Sequence, residues 1–339
     1  MNEPMMSQQW WIYRGTGGPH DGIKNKLPPP PPWRAFKGTP IPPRTLKVEP
    51  REETFKPTSE AIELVNAALL LRRPLLVTGR PGIGKTSLAR AVAHELQLGP
   101  LLKWPINTRS TLTEGLYRYD AIARLQDASL RQHEEPAQKD RVPPIGQYLR
   151  LGPLGTALLP TDTPRVLLID EIDKGDIDLP NDLLHVFEEG EFEIPELTRQ
   201  NQKEKVSQVR PADGDDEVPI ENGRVVCREF PLVIMTSNGE REFPPAFLRR
   251  CLRLDMKLPE DEALRRQRLK EVVEAHLKAA GIARAEPLIE QFLKREAKRE
   301  ELATDQLLNA VYLTTCGVDM SREQLLDSVL RSLNSSSDA

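Results

Sequence analysis

PLLVTGRPGIGKT, residues Pro74 to Thr86, runs an apolar strand straight into a glycine-rich turn and the first residues of a helix. Within it Gly79 to Thr86 reads G-x-x-x-x-G-K-T, and a strand before with a helix after is the setting in which that spacing cradles phosphate. Each residue type has a physical reason. Gly79, Gly82 and Gly84 let backbone N–H groups turn inward, with Arg80, Pro81 and Ile83 between them. The helix start adds its positive dipole end, Lys85 neutralises terminal phosphate oxygens, and Thr86, followed by Ser87, offers a hydroxyl to Mg²⁺. A glycine-rich turn without a ligand leaves Lys85 unaccounted for, because a helix N-terminus disfavours a cation.

Outward from this turn, strands and helices alternate. Ile62, Val65, Ala68 and Leu69 recur at helical spacing, and a helix from Thr86 to Leu96 stops before Gly99. LLKWPI (Leu101 to Ile106), VLLID (Val166 to Asp170), LVIMTSN (Leu232 to Asn238) and CLRLDMKL (Cys251 to Leu258) read as further strands, and a helix from Pro180 to Glu189 ends at Gly190. This is the grammar of an α/β fold with a parallel five-stranded sheet. Two long polar stretches, about 117–151 and 191–230, read as hairpin insertions, the second with the acidic run Asp213 to Glu217 as a solvated loop tip. After Pro259 come charged helices, Glu262 to Ala279, Pro287 to Arg299 and Asp305 to Thr315, then a last one with Ser321 and Gln324 as a capping box. The expected divisions are an arm over 1–57, an α/β domain over 58–258, a smaller all-α lid over 259–334 and a disordered tail over 335–339.

The 31 prolines exceed what a globular domain of 339 residues needs, and five of them form the run Pro28 to Pro32. The arm that holds them is expected to be extended and weakly structured. Its Trp10, Trp11, Tyr13, Trp33 and Phe36 favour docking, either onto the chain's own core, a neighbouring copy or a dedicated partner. A net charge of −4 supplies no general cationic field, which argues against nucleic-acid backbone as the partner. Three cysteines without paired spacing and five scattered histidines suggest neither a disulfide framework nor a zinc site. No apolar run approaches the ~20 residues of a membrane span, and the N-terminus lacks the layout of an export signal, so the expectation is a cytoplasmic chain with no membrane partner.

Two further groups carry chemistry. Asp170 and Glu171 close the strand VLLID at the carboxyl edge of the sheet, where ligands bind in open α/β folds. Asp170 is placed for Mg²⁺ or a water on it, and Glu171 for polarising an attacking water. Asn238 closes the next strand and can orient that water, although an Asn before Gly239 is also an ordinary turn former. FPPAFLRRC (Phe243 to Cys251) ends in Arg249 and Arg250. An arginine here reaches a neighbouring subunit's γ-phosphate more naturally than its own, or else simply suits a helix C-terminus.

GRPGIGKT, VLLIDEID, the strand ending in Ser237–Asn238 and the FLRRC helix, followed by a helical lid, resemble the AAA+ ATPases. The two insertions resemble those of the helix-2-insert and pre-sensor-1 clade. GPLGTAL (Gly152 to Leu158) and DLLHVFEEGEF (Asp182 to Phe192) make the chain similar to the MoxR family. WWIYRGTG with its proline run, and LATDQLLNAVY (Leu302 to Tyr312), look like a bacterial subgroup associated with von Willebrand A domain proteins. The resemblance implies ATP and Mg²⁺ as cofactors, and a homo-oligomeric ring, commonly a hexamer, that hydrolyses ATP to remodel or activate a client with a von Willebrand A domain. It implies a sensor-1 role for Asn238 and a trans-acting finger at Arg250, with Arg249 next in line. One departure stands out: the lid helix reads ATDQLL, without the usual sensor-2 arginine. A nucleic-acid motor, or a nucleotide-dependent switch with little hydrolysis, would use the same parts.

Overall fold

The computed structural model describes residues 10–44, 46, 55–131, 143–199, 205–297, 302–320 and 323–330. After a short helix α1 (Gly22–Lys26), α2 (Ser59–Leu71) leads into β1 (Leu75–Gly79), and α3 (Lys85–Glu95) follows the glycine-rich turn. Next come β2 (Leu102–Pro105), α4 (Leu112–Leu116), β3 (Tyr117–Tyr119), α5 (Ala121–Arg131), β4 (Leu149–Leu151), α6 (Pro153–Ala157) and β5 (Val166–Asp170). Helix α7 (Leu179–Glu189) precedes β6 (Glu191–Glu193), α8 (Pro195–Thr198), β7 (Val206–Val209), β8 (Val218–Glu221) and β9 (Arg224–Val226). The chain then returns through β10 (Leu232–Ser237), α9 (Pro245–Leu248) and β11 (Leu252–Met256) to the helices α10 (Glu262–Ala297), α11 (Thr304–Thr315) and α12 (Glu323–Val329).

The main sheet has the order β11-β1-β10-β5-β2, and every pairing in it is parallel. Successive residues of its strands serve opposite cores, as a strand's two-residue period requires. Leu75, Val77, Val166, Leu168, Leu232 and Ile234 pack on one face with α2 and α3. Leu76, Leu167, Ile169, Val233 and Met235 pack on the other with α6 and α7. A third cluster, including Leu269, Val273, Ile289, Phe292, Leu307, Val311 and Leu326, lies within α10, α11 and α12. The fold is therefore α/β, a parallel five-stranded sheet with a smaller helical part.

The described part of the arm docks on the chain's own core, one of the courses expected for it, while other expectations need correction. Ile12, Tyr13 and Ile23 are buried in the core beneath α2 and α3. Asn66 of α2 accepts from the Ile12 and Tyr13 N–H groups at 2.7 and 2.9 Å, and the buried Glu95 of α3 accepts from Arg14, Gly15 and Gly17 at 2.6, 3.1 and 2.9 Å. Polar side chains on helix faces thus satisfy a strap that makes almost no regular structure of its own. The first insertion is more than a hairpin, because α5 sits between the antiparallel β3 and β4. The second is an antiparallel sheet of order β6-β9-β8-β7. Asp213 is not a solvated tip: its carboxylate is 3% exposed and bridges Arg44 and Arg165 at 2.6 and 2.5 Å, while Asp215, Asp216 and Glu217 remain exposed. The first two expected lid helices are one helix, α10, with Pro287 inside it. The Ser321 cap and the tail over 335–339 lie outside the described residues.

Candidate functional site

Strand order brings the phosphate turn together with the acidic strand end. β10 lies between β1 and β5, so the residues that follow these three strands meet at one carboxyl edge. The turn after β1 passes through left-handed backbone at Gly82 (φ 74°) and Gly84 (φ 102°). A Cβ at Gly82 would stand 2.6 Å from the Ala303 Cβ, and one at Gly84 2.7 Å from the Phe55 ring. Both positions therefore require glycine twice over, for conformation and for space. The turn and α3 line a cavity of ≈ 710 Å³ that includes Pro81, Gly82, Ile83, Gly84, Lys85, Thr86 and Ser87. Helices α10 and α11 close its other side.

Lys85 Nζ donates to the carbonyls of Gly79 at 2.5 Å and Arg80 at 3.0 Å, and to Asn238 Oδ1 at 2.8 Å. Burial pulls its ammonium below the usual lysine value, and Asp173, Glu171 and Asp170 pull it back in part. The Asn238 amide reaches Glu171 Oε1 at 3.4 Å, so Asn238 links the lysine to the glutamate. Thr86 Oγ1 donates to Asp170 Oδ1 at 3.1 Å, and Thr236 Oγ1 to the same oxygen at 2.8 Å. Burial raises the Asp170 carboxyl, but the Lys103, Thr236 and Thr86 hydrogen bonds outweigh it and hold the group below the usual carboxylate value. Lys103 Nζ stands 2.7 Å from Asp170 Oδ2 and supplies its counter-charge.

Glu171 occupies left-handed backbone at φ 60°, a costly place for a residue with a Cβ. Its N–H donates to Thr236 Oγ1 at 2.8 Å, which helps to hold that conformation. Its Oε2 pairs with Lys174 at 2.9 Å, and both side chains are exposed.

Residues the sequence reading passed over complete the site. Asp173 is 3% exposed and its Oδ2 accepts from Ser237 Oγ at 2.9 Å, Asn238 N–H at 2.9 Å and Glu240 N–H at 3.2 Å. It therefore fixes the backbone that carries Asn238. The signal was present, since Asp173 closes the DEID stretch that begins with Asp170 and Glu171. Thr236 stands two residues before Asn238, and Lys103 is an outward position of β2; neither carries a motif that would have marked it.

Arg250 stands apart. β11 runs beside β1 from Leu252 opposite Leu75 to Met256 opposite Gly79, so Arg250 precedes the paired stretch at the amino edge. At ~3.3 Å per residue it is roughly 15 Å or more from its own phosphate turn. Its Nε pairs with Glu188 Oε1 at 2.6 Å; Arg249 is exposed.

Thr86 and Asp170 offer two oxygen donors 3.1 Å apart, the hard-ligand chemistry that suits Mg²⁺. Among the described residues no group of three or more His, Cys, Asp or Glu side chains is arranged for a metal, so an ion here would complete its shell with phosphate and water. No arginine of α11 lines the cavity, which meets Thr304, Asp305 and Leu308 of that helix and Arg268 of α10. Among the described residues no helix is long and apolar enough to cross a membrane.

Comparison with known proteins supplies a family. Among solved structures the chain is similar to the FIGL-1 AAA domain in complex with ADP, at 16% identity over 76% of this chain and 65% of that one, with a TM-score of 0.30. It is also similar to NtrX from Brucella abortus in complex with ATP, at 14% identity over 77% of this chain and 51% of that one, with a TM-score of 0.36. The match thus spans just under two thirds of the first structure's chain and about half of the second's. No curated protein matches. The family model for the AAA domain (dynein-related subfamily) matches residues 74–251, just over half of the chain, from the residue before β1 to the residue before β11. With the phosphate turn, the acidic strand end and Asn238 on one edge of a parallel sheet inside that span, the chain belongs to the AAA family, dynein-related subfamily.

Proposed function

We propose that this chain binds and hydrolyses ATP with Mg²⁺ as a subunit of a homo-oligomeric ring, and uses the cycle to remodel or activate a partner protein. The observation that carries the reading is the hydrogen-bonded line from Lys85 through Asn238 to Glu171, beside the Thr86–Asp170 pair. In this reading Lys85 turns from the Gly79 and Arg80 carbonyls to the terminal phosphates, and the backbone of Gly79 to Thr86, with Ser87 behind it, holds the others. Thr86 and Asp170 hold Mg²⁺, which supplies charge neutralisation when bound. Asn238 orients the attacking water and Glu171 accepts its proton. The finger is Arg250, acting on a neighbour's nucleotide, because its own lies at the far end of the strand. The helical part over 259–334 is the lid of this site.

The MoxR likeness of GPLGTAL and DLLHVFEEGEF, and the insertions built on β3/β4 and β6 to β9, motivate the finer reading: a MoxR-like machine, likewise a hexamer, whose client has a von Willebrand A domain. Repeated co-purification from native lysate that never yields such a protein would count against that client.

Two substitutions test the chemistry. Lys85→Ala is expected to abolish ATP binding in a fluorescent-nucleotide titration, whereas Glu171→Gln is expected to retain bound ATP and lose turnover by about 10² or more. Retained turnover in Glu171→Gln would remove that residue from the reaction. Mixing inactive Arg250→Ala with inactive Glu171→Gln subunits tests action in trans, since some mixed interfaces pair an intact glutamate with an intact arginine. Recovery of part of the wild-type rate is the expected result.

A further inference from the structure

Trp33 is 75% exposed, yet it is held by one of the most firmly fastened turns of the arm. Pro31 enters the turn in an extended, polyproline-like conformation (φ −52°, ψ 144°), and Pro32 opens the single 3₁₀ turn Pro32–Arg34. The next residue, Arg34, is buried at 6% exposure. Its Nε and Nη2 donate to the Arg72 carbonyl at 3.1 and 2.6 Å, and its Nη1 to the Phe187 and Glu188 carbonyls at 2.7 and 3.2 Å. Its guanidinium also lies over the rings of Phe36 and Phe230, at 5.1 and 4.6 Å. A large aromatic mounted on so rigid a seat does not fold back onto its own chain, and it loses little conformational entropy when it docks.

The seat is also that of Arg250. Glu188, at the end of α7, accepts from Arg250 Nε on Oε1 at 2.6 Å and faces Arg34 Nη1 with Oε2 at 3.8 Å. One carboxylate is thus divided between the arm and the finger. The turn that carries Trp33 and the Arg250 side chain are both fastened to the last turn of α7, the first through Arg34 on the Phe187 and Glu188 carbonyls and the second through the Glu188 carboxylate. Rings close through two different patches on each copy, and the amino edge of the sheet, opposite the cavity, is the patch a neighbouring cavity would require.

We propose that Trp33 is the arm's contact with a second copy of this chain, on the face that carries Arg250, and that Glu188, anchored by Arg34, sets the direction in which Arg250 leaves the subunit. The proposal rests on the reading of Arg250 as acting in trans. Trp33 is the anchoring contact and Glu188 a positioning residue.

The test uses the full chain with ATP and Mg²⁺. Sedimentation velocity over a concentration series compares wild type, Trp33→Ala and Trp33→Phe, with thermal melting as a check that this exposed position leaves the fold intact. Trp33→Ala is expected to weaken assembly about tenfold or more, as loss of a buried aromatic anchor does, and Trp33→Phe to restore part of it. At concentrations where it is fully assembled, Glu188→Ala is expected to lower kcat about fivefold or more with KM for ATP unchanged. The mixture of Arg250→Ala with Glu171→Gln subunits separates the two layers. If the mixture recovers activity but Trp33→Ala assembles as wild type does, the contact is overturned and action in trans stands. The contact is overturned likewise if Trp33→Ala assembles normally and instead loses a different captured protein. Unchanged kcat in Glu188→Ala overturns the positioning role. A mixture that stays inactive although both variants assemble overturns action in trans and this proposal together.

Discussion

Asp173 shows how much of the candidate site is decided by a buried residue that holds the backbone behind it. Its Oδ2 gathers the Ser237 hydroxyl and the Asn238 and Glu240 N–H groups, while its Oδ1 is buried without a hydrogen-bond partner among the described residues. Removing the carboxylate leaves three donors to find other acceptors at the point where the Asn238 amide is aimed. Asp173→Ala is therefore expected to lower kcat about 10- to 100-fold with smaller change in KM, and to cost about 1–3 kcal/mol in urea unfolding. Steady-state kinetics alongside unfolding would separate the two effects. Cysteine chemistry gives a second expectation at this scale. Burial pushes the Cys227 and Cys251 thiols up to about 12, whereas Cys316 is exposed. A thiol reagent at pH 8 is expected to modify one cysteine rapidly in the native chain, and all three after unfolding.

The Asp213 clamp joins elements that are remote in sequence: Arg44 of the arm, Arg165 just before β5, and the loop between β7 and β8. Burial raises the Asp213 carboxyl, but the Arg44 and Arg165 contacts prevail and hold it below its usual value. A carboxylate depressed in this way contributes stability above its unfolded pKa of about 3.9, and that contribution is lost as pH falls through the lower folded value. Asp213→Ala leaves two nearly buried guanidiniums without their counter-charge, which is expected to cost about 3–5 kcal/mol at pH 7. Melting curves at pH 7 and pH 3 should show a gap between wild type and variant that narrows on acidification. None of this was legible in the run Asp213 to Glu217, because three of its four acids are solvated and the partners of the fourth lie 169 and 48 residues away. The sheet was legible for the opposite reason. A parallel strand buried on both faces must be apolar throughout, so VLLID and LVIMTSN advertise their place locally. Likewise the left-handed backbone that the phosphate turn needs at Gly82 and Gly84 is internal to eight residues, although the crowding by Ala303 and Phe55 that also excludes a Cβ is not. Asn238 was readable from its place at a strand end, but its link to Lys85 needed the strand order, which no local pattern contains.

At the scale of the whole molecule the arm is the part composition describes least well. Its prolines and glycines suggest only an extended, weakly structured segment and its aromatics a docked one, and Ile12, Tyr13 and Ile23 finish a core that α2 and α3 leave open. Asn66 and Glu95, which receive it, look like ordinary polar positions on helix faces until the strap is in place. A chain beginning at residue 55 would expose that seat, and at about 1.5–3 kcal/mol per large apolar side chain it is expected to melt far lower or to aggregate. Light scattering and thermal melting of the shortened chain check this. The strap also has a consequence for synthesis. The ribosome delivers it before the residues that hold it: Asn66 and Glu95 follow some 53 to 81 residues later, and Phe187 another hundred or so after that. The segment is thus fastened in two instalments: Ile12 to Gly17 and the Arg34 bonds to Arg72 once α3 has emerged, and the Arg34 bonds to Phe187 and Glu188 only after α7. Until the second, Glu188, the partner of Arg250, lacks the support of Arg34, so the last fastening of the arm and the setting of Arg250 belong to the same late step.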